Sequence, residues 1–328
     1  VLIGGVLQLV LHAPYLVKCG FAFWRKANLF HPALKRIGLS TLPALLGSSV
    51  FQINVLLDTL IASFLSDGSI SYLYYADRLV QFPLGIFGMA AAIALLPNLS
   101  REAAVKNYEG LAETLTSSLK AVLFITIPAM AGLIILREPI VSLLFERGEF
   151  DSASVKATAG ALLYYGAGLW AFSTARIVVS TFYALRDART PLRVALFSIL
   201  IKAVLSLVLV KYLDYKGLAL ATSAASALNL FVLARALQFK LNGIVRWNEV
   251  IGSSLHFLSA TVVMSAIILI LNTYFMPAVS DGFVWRTAVI STCILTGIVV
   301  YLAFSAVFNW GQLKIFMKAT TKSRRTGA

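Results

Sequence analysis

Charged and amide side chains are scarce in the long apolar stretches of this chain, and those few residues are the ones that could do chemistry. One stretch, SSVFQINVLLDTLIASFLSDGSISYLYYADRLVQFPLGIFGMAAAIALLPNLS, holds Gln52, Asn54, Asp58, Asp77 and Arg78. Its Ser66-Asp67-Gly68 suits a tight turn between two membrane-crossing helices. Asp58 lies about ten residues before that turn and Arg78 about ten after, so both fall roughly 15 Å below one surface, near mid-membrane. A central Arg or Asp costs about 2.5–3.5 kcal/mol to insert, so each should face the bundle interior, a partner or water.

Two readings of this pair stand side by side. Asp58 and Arg78 form an ion pair that only staples the hairpin, or Arg78 faces a hydrated cavity and meets an anionic substrate. A guanidinium grips phosphate by paired donors and stays charged at any physiological pH. Asp77, adjacent to Arg78, cannot share its face, and is expected to orient a neighbour or hold water near Ser71 and Tyr74. Asn54 and Asp58 are spaced i, i+4 on one face; Gln52 and Asn54 either line the cavity or bond to neighbouring helices. Pro83, Gly85 and Gly88 follow Arg78 and read as a hinge for a moving helix or as a static kink with close packing.

Lys202 sits in the middle of LRVALFSILIKAVLSLVLV. A lone buried lysine is costly, so it is expected to approach Asp58 and hold a position that a transported cation would otherwise take. Arg176, about ten residues from the end of its apolar run, reads as a snorkelling or structurally paired cation. Soluble-enzyme chemistry is not indicated. The chain has no GxxxxGK, HExxH or GxSxG pattern and no carboxylate pair set for acid–base work. Cys19, Cys293, His12, His31 and His256 are isolated, so no catalytic residue, metal site or cofactor is expected.

The elements that position these residues are helices in a bilayer. Apolar residues make up 59% of 328 positions and charged residues 13%, against about 25% charged in soluble domains. An all-α polytopic membrane protein is expected. Nine apolar segments approach the ~20 residues that span hydrocarbon: 1–16, 41–66, 69–97, 118–136, 156–185, 191–211, 216–238, 250–272 and 286–306. The first begins already apolar, with no initiator Met, so the chain is expected to start inside a membrane helix. Residues 100–117 alternate charged and apolar residues as an interfacial helix would. Residues 137–155 are too short and too charged to cross and are expected to pack on the outer rim.

The 28 Lys and Arg exceed the 14 Asp and Glu, which in a soluble protein would suggest nucleic acid. Here, with residues 17–40 placed in the cytoplasm, nineteen basic residues fall inside, six outside and three within segments. That bias orients the chain with its carboxyl end inside. Nucleic acid is not an expected partner. The basic residues from Lys314 to Arg325 suit anionic inner-leaflet lipid.

Several motifs together resemble the MurJ/MviN family of peptidoglycan lipid-precursor flippases. They are Gln52-Ile53-Asn54, the YYADRL run ending at Leu79, Pro83-Leu84-Gly85, LLPNLSR at 95–101, LFERGEFD at 144–151 and FYALRDARTP at 182–191, with GGVLQLVLHAPYL at 4–16 resembling the family's sixth helix. The resemblance covers nearly the whole chain. It implies a fourteen-helix, two-lobe exporter fold of the multidrug/oligosaccharidyl-lipid/polysaccharide superfamily, of which this is the carboxy-terminal two-thirds. Residues 1–16 would end the first lobe, 17–40 form a cytoplasmic linker and 41–240 the second six-helix lobe. Residues 250–306 would be an extra pair bordering a lipid-tail groove, with 307–328 a basic cytoplasmic tail.

The implied function is alternating-access transport of the undecaprenyl-pyrophosphate-linked precursor, lipid II, across the bacterial inner membrane for cell-wall synthesis. Arg78 matches the cavity arginine that this half supplies. Gln52, Asn54, Asp58, Ser71, Tyr74 and Asp77 are its companion candidates. The implied partners are the precursor and membrane lipids, and the transporter is expected to act as a monomer. A flippase for another lipid-linked oligosaccharide, a membrane enzyme acting on polyprenyl phosphates and a non-transporting scaffold are the competing readings.

Overall fold

The computed structural model describes residues 2–18, 52–275 and 282–308. Most of the expected linker 17–40, the start of the segment expected from 41 and the tail beyond 308 lie outside them. The chain divides into two compact units, residues 1–49 and 50–328. In the first, α1 (Leu2–Lys18) carries Pro14 within a largely exposed apolar helix. All the described elements are helical.

The second unit begins with α2 (Gln52–Ala62) and turns at Gly68, whose φ of 85° is left-handed and suits glycine. Ser66 closes this turn by accepting from the Ser69 hydroxyl at its carbonyl and by donating to Asp214 at 2.6 Å. A long rod follows: α3 (Ser69–Pro83), a π-helical stretch at Leu84–Met89 and α4 (Ala90–Ala104). Proline at residue 83 lacks the donor an α-helix needs there, and the wider π turn accommodates that loss.

The stretch expected as an interfacial helix is not one. Its first residues finish α4, and its last begin α5 (Tyr108–Ile135). Between them Lys106 adopts φ 56°, and the Asn107 side chain accepts from the Gly110 amide at 3.1 Å as a cap. Amphipathic spacing persists through the hairpin because both helix ends meet water there.

The non-crossing stretch after α5 forms α6 (Arg137–Phe145), a nine-residue helix on α7 and α12. The segment expected over 156–185 is two helices, α7 (Ser152–Ala167) and α8 (Leu169–Ala184), bent by 42° at Gly168. The bend frees carbonyls, and the Ser223 hydroxyl donates to one of them, that of Tyr164, at 2.7 Å. A Cβ on Gly168 would collide with this same serine, so glycine is required by close approach.

Next come α9 (Arg189–Leu213), α10 (Tyr215–Lys240), α11 (Trp247–Phe275) and α12 (Phe283–Phe308). Among the described residues six helices are long and apolar enough to cross a membrane, or seven if α7 and α8 form one bent span. That is fewer than the nine segments expected. The described part of α2 is too short to count, and α1 has only 17 residues.

Two apolar clusters hold the unit together: one where α5, α8, α10 and α11 meet around Leu119, Phe182, Leu233 and Phe257, the other where α3 and α7 meet around Ala76, Val80 and Leu162. The outward faces stay apolar, with Leu200, Val204 and Leu207 all more than 60% exposed, as lipid-facing helices require.

At the α9–α10 hairpin, a Cβ on Gly217 would lie 2.6 Å from the Leu209 carbonyl carbon and oxygen. Backbone cannot yield cheaply, so Gly217→Ala is expected to lower the melting temperature by about 5 °C or more, while Gly252→Ala, with no atom within 4 Å, leaves it unchanged. Thermal unfolding of both variants in detergent checks this.

The loop before α9 carries Asp187, which accepts from the Thr190 amide at 3.1 Å and hydroxyl at 2.7 Å and pairs with Lys240 of α10. Burial pushes its carboxyl up, but these hydrogen bonds outweigh it and bring the pKa to about 2 from 3.8. Because the folded value is depressed, the stabilisation is full above about pH 4 and is lost as pH falls toward 2. Asp187→Asn should therefore be less heat-stable than wild type at pH 7, with the gap closing between pH 4 and pH 2.

Candidate functional site

The residues singled out in the apolar runs fall into two adjoining groups. The first is buried. Lys202, on the inward face of α9, donates to Asp58 Oδ2 at 2.6 Å and to Asn54 Oδ1 at 2.5 Å. The i, i+4 spacing of Asn54 and Asp58 puts both on one face of α2, and one ammonium meets both. The lysine side chain is 5% exposed and the aspartate 22%, so the pair is largely out of water. Such a pair repays desolvation only with close geometry and further hydrogen bonds, and the Asn54 amide oxygen provides one.

The second group lines the exposed face of α3. Ser71, Tyr74, Arg78 and Phe82 are all exposed and follow one stripe at helical spacing. The Arg78 guanidinium stacks 4.8 Å above the Tyr74 ring, a cation–π contact that holds it without neutralising it. The hairpin staple between Asp58 and Arg78 is absent: Asp58 pairs with Lys202, and among the described residues Arg78 has no ion pair. The physical reason is position. Asp58 faces α9, while Arg78 is on the open side of α3.

Asp77 joins the two groups. It is half-buried and lies within electrostatic reach of Arg78, Lys202 and Asp58. Its side chain hydrogen-bonds Gln81, one turn further along α3. Gln52 is exposed at the start of α2 and is not brought to the Asp58–Lys202 pair, because two and six residues from Asn54 and Asp58 it faces elsewhere.

The hinge candidates are distinct from one another. Pro83 is buried at the end of α3, and Gly85 has open space around it. Gly88 packs against α8, where a Cβ would touch Ser173 Cα at 3.5 Å. Sequence reasoning missed Tyr165 of α7, buried within electrostatic reach of Asp58 and Asp77. An apolar-run tyrosine gives no signal that it borders a charge cluster.

Two of the sequence motifs meet near this site. Tyr75 of YYADRL stacks on Phe145 and Phe150 of LFERGEFD, with ring centroids 4.6 and 5.4 Å apart. These contacts fix the rotation of α3 and therefore the direction of Arg78.

Six or seven membrane-long helices among the described residues, around a buried ion pair, make this a polytopic membrane protein. A MOP superfamily transporter from Pyrococcus furiosus has the same fold, at TM-score 0.52 and 16% identity over 85% of this chain and 66% of that one. A solved lipid II flippase MurJ in an inward closed conformation superposes at TM-score 0.73 with 27% identity, covering 90% of this chain and 59% of that one. The family model for lipid II flippase MurJ matches residues 1–315, and the chain belongs to that family. A probable lipid II flippase MurJ of Vibrio cholerae is 39% identical over 73% of this chain and 46% of its own length. One of Rhizobium tropici is 31% identical over 100% of this chain and 61% of its own length. The chain thus spans about half the length of the first of these curated relatives.

Removing either member of the buried pair strands the other's charge, so Asp58→Asn or Lys202→Met alone should each cost about 3 kcal/mol of stability. The double variant should recover much of that loss. A double-mutant cycle of thermal unfolding in detergent reads the coupling; additive losses would mean that the two charges do not support each other.

Proposed function

We propose that this chain is the carboxy-terminal part of a flippase that moves the undecaprenyl-pyrophosphate-linked peptidoglycan precursor, lipid II, across the bacterial inner membrane by alternating access. The observation that carries the reading is the charge arrangement on α3. Arg78 stands exposed on a membrane-spanning helix with an aromatic support and no carboxylate partner among the described residues, while the nearby acid is taken up by Lys202. A fixed, unneutralised guanidinium inside a membrane protein is suited to a double-phosphate headgroup that hydrocarbon rejects.

In this reading Arg78 meets the pyrophosphate, and Tyr74 and Ser71 share its face toward the sugar–peptide head. Asp77 tunes Arg78 from behind, and Asn54, Asp58 and Gln52 border the path. Lys202 acts as an internal cation, holding Asp58 in a charged pair where a coupled ion would bind in another transporter. Pro83, Gly85 and the π-helical stretch supply the hinge, with Gly88 as its pivot on α8. The second lobe is 41–240 within a fourteen-helix, two-lobe exporter, and 250–306 borders the groove for the polyprenyl tail. The carboxyl end is cytoplasmic, and the transporter works as a monomer among membrane lipids. The second reading, transport of another lipid-linked oligosaccharide, shares the pyrophosphate contact and differs in the headgroup beyond it.

The test uses the intact protein that contains this chain, in place of the resident flippase of a bacterial strain, with precursor assayed on each membrane face. Wild type should support growth, while Arg78→Ala, inserted at the same level, should lower outward precursor about tenfold or more. Growth without lipid II transport would favour the other oligosaccharide, and wild-type transport by Arg78→Ala would return Arg78 to a structural role.

A further inference from the structure

Arg176 is a charged residue well inside a span that the function above does not absorb. It is half-buried on α8. Among the described residues its guanidinium has no ion pair or hydrogen bond. Of the two readings expected from the sequence, snorkelling or a structural pair, no pair is present among the described residues. Of the other mid-span cations, Lys202 is paired with Asp58 and Arg78 is already assigned to the pyrophosphate contact.

Snorkelling does not account for it either. Arg176 lies eight residues before the end of α8, about 12 Å along the axis. Side chains on a helix lean toward its N-terminus. In the orientation proposed above, that direction is toward the membrane centre, away from the cytoplasmic headgroups.

The surroundings of α8 narrow what Arg176 faces. The helix packs on α4, α5, α10 and the π-helical stretch, and its core-facing residues, including Ser173, Ile177, Val178, Thr181 and Phe182, are buried. Phe172, Arg176, Val179 and Tyr183 form the remaining strip, half-buried to exposed, within roughly 60° of one another at 100° per residue. Ser173 is level with Gly88. Arg78 is ten residues before Gly88 on the rod, and Arg176 is three residues past Ser173. Both helices run the same way across the membrane, so Arg176 is roughly 20 Å nearer the cytoplasmic side than Arg78.

We propose that Arg176 is a second phosphate-binding arginine, which takes the pyrophosphate of the lipid-linked precursor at inner-leaflet depth before it reaches Arg78. This rests on the flippase reading. An arginine between an aromatic ring on either side along its strip, with its donors uncommitted, offers paired hydrogen bonds to a pyrophosphate. Two such cations at successive depths give a charged headgroup a second favourable position, so that it does not cross the inner half unaided.

The experiment uses the purified intact protein in phosphatidylcholine nanodiscs, titrated with farnesyl pyrophosphate and followed by tryptophan fluorescence, Trp170 being on the same helix. Arg176→Met should bind about fivefold more weakly or worse, with an unchanged melting temperature. Arg176→Lys, which keeps charge but loses paired donors, should fall between. In cells, Arg176→Met should leave precursor on the inner face. Wild-type affinity in Arg176→Met overturns the assignment, as does weakened binding that tracks a lowered melting temperature. If Arg176→Met fails to insert, Arg176→Lys decides: wild-type affinity in that variant overturns the paired-donor contact. Phosphatidylglycerol competing as well as farnesyl pyrophosphate would assign Arg176 to resident lipid, against the proposal. A wild-type protein with no affinity for farnesyl pyrophosphate would instead sink the flippase reading itself.

Discussion

An ammonium and a carboxylate 2.6 Å apart on α9 and α2 decide which faces of those helices can meet lipid. In water a similar pair is worth little; inside a membrane protein, each charge alone would be costly enough to displace a helix. Lys202 therefore turns its side of α9 inward and leaves Leu200, Val204 and Leu207 outside. On α2 the same pair fixes Asn54 and Asp58 toward α9. With Asp58 committed there, the Arg78 guanidinium has no acid across the hairpin and remains on the open face of α3. Its exposure follows from how a different pair is satisfied.

The rigidity of that face comes from elsewhere. Tyr75 is clamped by Phe145 and Phe150, and these aromatics flank a loop whose Glu146 pairs with Arg286 of α12 at 3.5 Å. At the other end of the bundle Lys120 of α5 meets Glu249 of α11 at 2.8 Å. Midway, the Tyr301 hydroxyl donates to the Phe124 carbonyl at 2.7 Å, with Phe124 also stacked on Phe257. The α11–α12 pair is thus tied to α5 and α6 at both ends and the middle. The regular α-helical hydrogen bonding of the rod is interrupted at the π-helical stretch.

How far the sequence announced this depends on what set each feature. The buried charges were legible, because a lysine in the middle of an apolar run must find an acid, and Asp58 was at matching depth. Most long helices were legible from hydropathy for the same physical reason. The hairpin at Lys106–Asn107 was not, since two amphipathic helix ends joined by a short turn keep the same periodicity as one interfacial helix. Nor was the bend at Gly168. It depends on Ser223, 55 residues away in sequence, donating to a carbonyl that the bend exposes. For Asp77, helix geometry said only that it diverges from Arg78; its hydrogen bond to Gln81, one turn on along the same helix, was not predicted.

In the proposed flippase, charge placement lets Arg78 stay open to a phosphate lipid. A guanidinium paired to a carboxylate would hold its geometry more firmly, but an arriving pyrophosphate would then have to displace an anion before it could bind. Stacking on Tyr74 orients Arg78 through the ring quadrupole and leaves its outward donors uncommitted. Asp77 behind it supplies a counter-charge without occupying the same face. On the proposed function, a pyrophosphate would meet a positioned cation, while Lys202 and Asp58 deeper in the bundle satisfy one another. Moving the carboxylate of Asp77 by a quarter turn of α3 would set it beside the Arg78 guanidinium on the open face, so the rotation imposed by the aromatic clamp on Tyr75 keeps that face cationic, as the proposed function requires.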